Sequence, residues 1–157
     1  VTSAEDRAAR RALTIARDCP PQARTIDITT LGRRSGRPRR IEMWFYRVDG
    51  ALFLTTQPAR RSWYANLLAD PTLTVHVKHC LTADLPATAL PVTATARRRR
   101  VFGRVLEDLS QYLTPDQTSA LPPLEAWVEG SPLVEVRLSS DRAAILQKNA
   151  NARGERP

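Results

Sequence analysis

The rhythm of apolar and polar residues changes several times along the chain. From Ala4 to Arg17 the period is helical, with Ala8, Ala12, Ile15 and Ala16 near one face and arginines elsewhere, which predicts an amphipathic helix. Cys19-Pro20-Pro21 ends it, because proline cannot continue the backbone hydrogen-bond ladder. "TIDITT", Thr25 to Thr30, is β-branched and predicts a strand. "RRIEMWFYRV", Arg39 to Val48, alternates and runs into Asp49-Gly50, a strong hairpin-turn signal, so "ALFLTT", Ala51 to Thr56, reads as the returning strand. Apolar residues fall on both faces of this hairpin, which predicts a closed or heavily covered sheet.

Further along, Arg61 to Ala69 predicts a short helix with Ser62 as its N-cap, ended by Asp70-Pro71. "TLTVHV", Thr72 to Val77, is a further strand. Leu81 to Val92 alternates but carries Pro86 and Pro91, which predicts an edge or bulged strand. Thr95 to Leu109 predicts a helix with Val101, Val105, Leu106 and Leu109 inward, and Arg97, Arg98, Arg100 and Arg104 mostly outward. Thr114 to Glu129 bears prolines and gives no clear element. "SPLVEVRLSS", Ser131 to Ser140, is the last strand, and Asp141 to Lys148 a terminal helical turn or two. Six short strands with helical crossovers predict a mainly β (α+β) fold, a small barrel or a strongly curled antiparallel sheet. Residues 1–148 read as one domain and 149–157 as a flexible tail.

Composition narrows the partners. The 157 residues carry a formal net charge of +8, and Lys78 and Lys148 are the only lysines among 24 basic residues. An arginine excess suits phosphate or carboxylate, which the guanidinium fork meets with two parallel hydrogen bonds. No apolar run approaches the length of a membrane-spanning helix, and the polar start does not read as a signal peptide. Cys19 and Cys80 are too few and too far apart for a disulfide framework. A cytoplasmic location is the expectation.

Candidate chemistry centres on "TTLGRRSGRPRR", Thr29 to Arg40. It is no P-loop, since Gly32 and Gly36 enclose only three residues and a strand follows. Gly32 and Gly36 permit positive φ and expose backbone N–H groups, Ser35 adds a hydroxyl, and Arg33, Arg34, Arg37, Arg39 and Arg40 supply charge. On these residues alone an anion site and a solvated hairpin loop both stand. His76 and His79 on a strand face opposite sides, so no metal site is expected. No serine, histidine and aspartate fall into a nucleophile arrangement. Arg97 to Arg100 read as the wet face of a helix, Glu42 as a partner of Arg40 or Arg47, and Trp44, Phe45 and Tyr46 as sheet wall.

"ITTLGRRSGRPRR", a Gly-turn hairpin, then "SWYANLLADPTLTVHV" follow one another over Ile26 to Val77. This succession resembles the deazaflavin-dependent nitroreductase and quinone reductase family, within the flavin-binding split-barrel proteins. The resemblance implies a six-stranded antiparallel split β-barrel of the FMN-binding type. It also implies reduced deazaflavin, coenzyme F420, whose tail carries a phosphate and glutamates. By the same resemblance Arg34, Ser35 and Gly36, with Arg33 beside them, grip the phosphate. Arg39 reaches the phosphate or the tail, Thr55, Thr56 and Gln57 meet the ring system, and Arg60 and Asn66 lie against the cofactor. The implied reaction is hydride transfer to an electron-poor enone, quinone or nitro compound, with a proton from water, Tyr46 or Tyr64.

The chain also departs from the family's pattern. Ile41-Glu42 stand in place of threonine-proline, and Arg60-Arg61 in place of a Gly-Gly-Ala-Pro-Lys type segment. The substrate-lining tyrosines have only Tyr112 and Trp127 as candidates. Two other readings fit the same arginines: FMN in the same barrel, or a non-enzymatic basic module for nucleic acid or an acidic partner. Split barrels of this kind often pair, so a homodimer is allowed.

Overall fold

The computed structural model describes residues 4–14, 19–79 and 81–139. Six strands, β1 (Thr25–Leu31), β2 (Pro38–Val48), β3 (Ala51–Thr55), β4 (Thr72–Val77), β5 (Ala83–Pro91) and β6 (Leu133–Leu138), pair antiparallel in the order β1-β2-β3-β6-β5-β4. The pairing of β4 with β1 closes the ring, so the fold is the expected six-stranded barrel. Around it lie α1 (Ala4–Ala12), α2 (Ser62–Ala69), α3 (Thr95–Ser110), α4 (Pro115–Ala120) and α5 (Leu124–Gly130). No helix among the described residues is long and apolar enough to cross a membrane.

Two cores explain why the β2–β3 hairpin is apolar on both faces. Inward residues such as Ile28, Phe45, Leu54, Val75 and Val134 fill the barrel. Outward residues Tyr46, Phe53 and Leu133 pack instead under α3 and α5, against Phe102, Val105 and Trp127. Each large apolar side chain so buried contributes roughly 1.5–3 kcal/mol. The sheet has no edge, and β5 pairs on both sides, with β4 and β6. The edge-strand expectation for Leu81 to Val92 therefore fails, although its prolines remain. The Pro86 carbonyl accepts from Ser139 just past the end of β6, and Ala89 N–H donates to Pro71 just before β4 starts. Because N–H and C=O of one residue point the same way, the Pro86 nitrogen faces Ser139, whose carbonyl accepts instead from Arg10 Nη2 at 2.7 Å. The Pro91 nitrogen, two residues on from Ala89, faces the vacant start of β4.

Other boundaries shift. Helix α1 ends at Ala12; Ala9 and Leu13 are buried, Ala12 packs against the same core as expected, and Ala8 is only half-buried. Ile15 to Arg17 lie outside the described residues, as do Asp141 to Lys148 and the 149–157 tail. Ser62 is the first residue of α2, whose N-cap position is Arg61. Thr114 to Glu129 forms two short helices, and Thr114 opens α4 with a capping box shared with Gln117. Phe102 joins the inward face of α3. Glu42 pairs across the barrel wall with Lys78, not with Arg40 or Arg47. Lys78 Nζ also reaches Asp27 at 2.6 Å, and Arg40 Nε reaches the same carboxylate at 2.9 Å.

A charge lies inside the second core. Arg24 is fully buried, ion-paired with Asp108, and its guanidinium stands over the rings of Trp44, Tyr46 and Tyr112 at 5.6, 5.0 and 5.3 Å. Burial alone would lower its pKa, but the Asp108 carboxylate more than offsets this and keeps the cation charged. Tyr112 donates to the Cys19 carbonyl at 2.7 Å and packs edge-on against Trp44. His76 shares one hydrogen bond with Thr29 (2.7 Å) and another with Asp84 (2.6 Å) on the outer wall.

Candidate functional site

The loop between β1 and β2 is shaped by two glycines. Gly36 has φ +67°, a conformation that L side chains rarely adopt. A Cβ at Gly32 would stand 2.6 Å from Ser35 Oγ. The turn closes through Gly32 N–H to Arg37 O (2.9 Å) and Gly36 N–H to Gly32 O (2.8 Å). Ser35 Oγ accepts from Arg37 N–H at 3.2 Å, which leaves the hydroxyl proton to donate.

Helix α2 holds this loop from below through Asn66. Its Oδ1 accepts from Arg33 N–H at 3.0 Å, and its Nδ2 donates to Thr30 Oγ1 at 3.1 Å. The backbone N–H of Arg33 can only donate, which fixes the amide's orientation. Between loop and helix lies a groove of about 440 Å³, lined by Thr30, Gly32, Arg33, Arg34, Ser35, Arg39, Ile41, Ser62, Trp63 and Asn66. Arg33, Arg34, Ser35, Arg39 and Asn66 of the expected cofactor contacts thus converge, with Gly36 in the turn above them. The Trp63 indole N–H, buried beneath the groove, has no acceptor.

Electrostatically the groove differs from most of the surface. Arg10, Arg40, Arg97, Arg99, Arg100, Arg104 and Arg137 each face a carboxylate. Among the described residues, no carboxylate is paired with Arg33, Arg34, Arg37 or Arg39, nor with Arg60 or Arg61. Uncompensated cations so close together favour an anion.

The remaining predicted residues sit elsewhere. Thr55 is buried at the end of β3, its hydroxyl donating to Pro132 O at 2.6 Å. The Thr56 hydroxyl next to it is buried without a partner, and Gln57 is exposed. Arg60 lines a second depression of about 680 Å³ on the far side of the first turn of α2, with Pro58, Arg61, Tyr64, Val92, Arg98, Glu129, Ser131 and Pro132. The two depressions share no lining residue. Tyr64 faces the second depression; Tyr46 does not, since it is buried in the second core, where burial pushes its hydroxyl above the usual tyrosine range. Tyr112 and Trp127 belong to that core or its edge as well.

Arg98, expected on the outward face of α3, is half-buried and turned to the protein. Its guanidinium donates to the carbonyls of Val92 (2.8 Å), Val128 (2.8 Å) and Ser131 (2.5 Å), with a longer contact to Trp127 O (3.4 Å). It thereby satisfies carbonyls left open where α5 ends and holds one wall of the second depression. This run of arginines is structural: Arg97, Arg99 and Arg100 meet Glu135, Glu125 and Asp49. Only the alternation of charge and carbonyl partners in space reveals this, and a helical wheel does not carry it.

Solved structures of similar shape are split barrels. A conserved hypothetical protein from Mycobacterium tuberculosis matches with TM-score 0.60 and 19% identity, over 88% of this chain and 82% of that one. A protein described as a pyridoxamine 5'-phosphate oxidase from Listeria innocua matches with TM-score 0.52 and 10% identity, over 74% and 85%. An F420-H2 dependent reductase, with no organism in its description, matches with TM-score 0.50 and 21% identity, over 79% of this chain and all (100%) of that one. No curated protein matches significantly. The family model described as F420H(2)-dependent quinone reductase matches residues 5–121. On that match, which takes in the arginine loop, α2 and all of the barrel but β6, the chain belongs to the F420H(2)-dependent quinone reductase family and is a reductase whose cofactor is F420.

Proposed function

We propose that this reductase passes hydride from reduced F420 to a flat, electron-poor acceptor such as a quinone, an enone or a nitro compound. The observation that carries the reading is the groove under the β1–β2 turn, where unpaired guanidinium groups and an orphaned indole N–H converge. These residues fit an anionic cofactor end: Arg33, Arg34 and Arg39 would hold phosphate and tail, with Ser35 donating its hydroxyl and Gly36 setting the turn. Asn66 would act as a positioning residue, since both polar atoms of its amide are engaged with Arg33 and Thr30. The end of β3 from Thr55 to Gln57 would border the ring, and the orphaned Thr56 hydroxyl supports this placement.

When bound, F420 supplies the hydride, so the chain's own residues have to bind, orient and exclude water. Orientation accounts for much of the rate in such transfers. Tyr64 is the one expected proton source that faces a depression. Its hydroxyl would stabilise negative charge developing on the acceptor oxygen. The test is oxidation of reduced F420 by menadione, followed by absorbance with and without the protein. Acceleration that saturates with both components is expected; a rate equal to that of the protein-free mixture would overturn the reading.

A further inference from the structure

The second depression contains three arginines, and they are not equivalent. Arg98 is committed to backbone carbonyls and forms wall. Arg60 and Arg61 are exposed, adjacent in sequence, and paired with no carboxylate. The same lining holds the carboxylate of Glu129, near the end of α5, likewise without an ion-pair partner among the described residues. It also includes Tyr64, Val92 and Pro132, and the Ser131 hydroxyl is buried there with no partner among the described residues.

Such a surface is selective in three respects. Aromatic and aliphatic walls favour a flat apolar body. Two free guanidinium groups favour a carboxylate, bound by charge-assisted hydrogen bonds. Glu129 in the same lining disfavours a second anionic group. The phosphate and tail of the cofactor already have their own arginines in the groove beyond α2, and the two depressions share no lining residue.

We propose that the second depression is the acceptor site, and that its ligand is an aromatic or conjugated compound bearing one carboxylate, held by Arg60 and Arg61. The inference rests on the reading that the β1–β2 groove holds the cofactor tail. It departs from the expectation that Arg60 is a cofactor contact.

The test is calorimetric titration with 2-naphthoate and with its neutral counterpart 2-naphthamide. It is run on the protein saturated with oxidised F420, which cannot donate hydride, and on the cofactor-free protein. Naphthoate should bind roughly ten- to hundredfold more tightly than the amide. The double variant R60A/R61A, altered only at exposed positions, should lose that preference while its affinity for F420 changes less than about threefold. E129Q should tighten naphthoate binding. Equal binding of the two probes would overturn the proposal, as would a preference that survives in R60A/R61A. Loss of F420 affinity in that variant with the naphthoate preference intact would return both arginines to the cofactor. Should the wild-type protein fail to bind F420, the reading of the groove falls, and the cofactor-free titration still decides the present proposal.

Discussion

Asn66 Oδ1 accepts the backbone N–H of Arg33 at 3.0 Å, so a buried amide on helix α2 holds the first arginine of the β1–β2 turn in place. The other end of the same amide donates to the buried Thr30 hydroxyl. Asn66→Ala should therefore leave two polar groups short of a partner and cost about 1–3 kcal/mol in urea unfolding. Asn66→Asp keeps the acceptor for Arg33 but adds a negative charge to an anion-binding groove. It should weaken F420 binding more than Asn66→Ala does, with the two compared by fluorescence titration. Unchanged F420 affinity in both variants would show that the amide serves stability alone.

Arg34 and Arg40 are a matched pair for a second test. Both lie within a few residues of Ser35, yet Arg40 is engaged with Asp27 on the outer wall and Arg34 lines the groove. Arg34→Ala should reduce F420 affinity about ten- to 150-fold, the equivalent of about 1.5–3 kcal/mol for a charge-assisted bond. Arg40→Ala should leave it within about twofold. The difference should narrow as salt is raised.

The Arg24–Asp108 pair bears on stability. Removing Asp108 leaves a guanidinium buried among Trp44, Tyr46 and Tyr112 with no counter-charge. Asp108→Ala should cost about 3–5 kcal/mol. Arg24→Met, which places a flexible apolar side chain among the same rings, should cost clearly less. Urea midpoints of the two variants provide the comparison, and equal losses would mean that the ion pair itself stabilises the fold.

Acid sensitivity follows from Asp27. Partial burial would raise its pKa, but hydrogen bonds from Lys78 and Arg40 outweigh that and hold the carboxyl below its usual range. A carboxyl with a depressed folded pKa adds stability above its unfolded value of about 3.9, and that stability disappears as pH falls through the folded value. Asp27→Asn should therefore be less stable than wild type at neutral pH, with the gap closing below about pH 4. Unfolding midpoints measured across that range check the sign.

The parts of this molecule that were legible in the sequence depend on local pattern. Strand alternation, the Asp49-Gly50 turn and the glycine-arginine loop all lie within a few residues of one another, and each is where the pattern predicts it. Interactions between distant segments were not legible. Arg98 reads as a solvent-facing helix residue because nothing local reveals that the end of α5 would bring carbonyls to its side. Arg24 carries no local signal of its burial, since its partners Asp108 and Tyr112 come from far along the chain. Asn66 was legible as a residue of the site only through resemblance, and its link to Arg33 needed the fold. The split of the expected contacts into two depressions has the same origin, because α2 separates residues that lie close together in sequence.

The prolines of β5 restrict how the ring can be assembled. Sliding this strand by one position along either neighbour would bring a nitrogen that has no hydrogen opposite a carbonyl in need of one, and would turn Leu85, Ala87 and Ala89 out of the interior. Pro86 and Pro91 thus penalise a one-residue slip of this strand. The segment from Ser131 to Leu133, which enters the ring beside β5 and carries one lip of the second depression, is fixed in position as a result. Two residues that line neither depression thus help to set the shape of one of them.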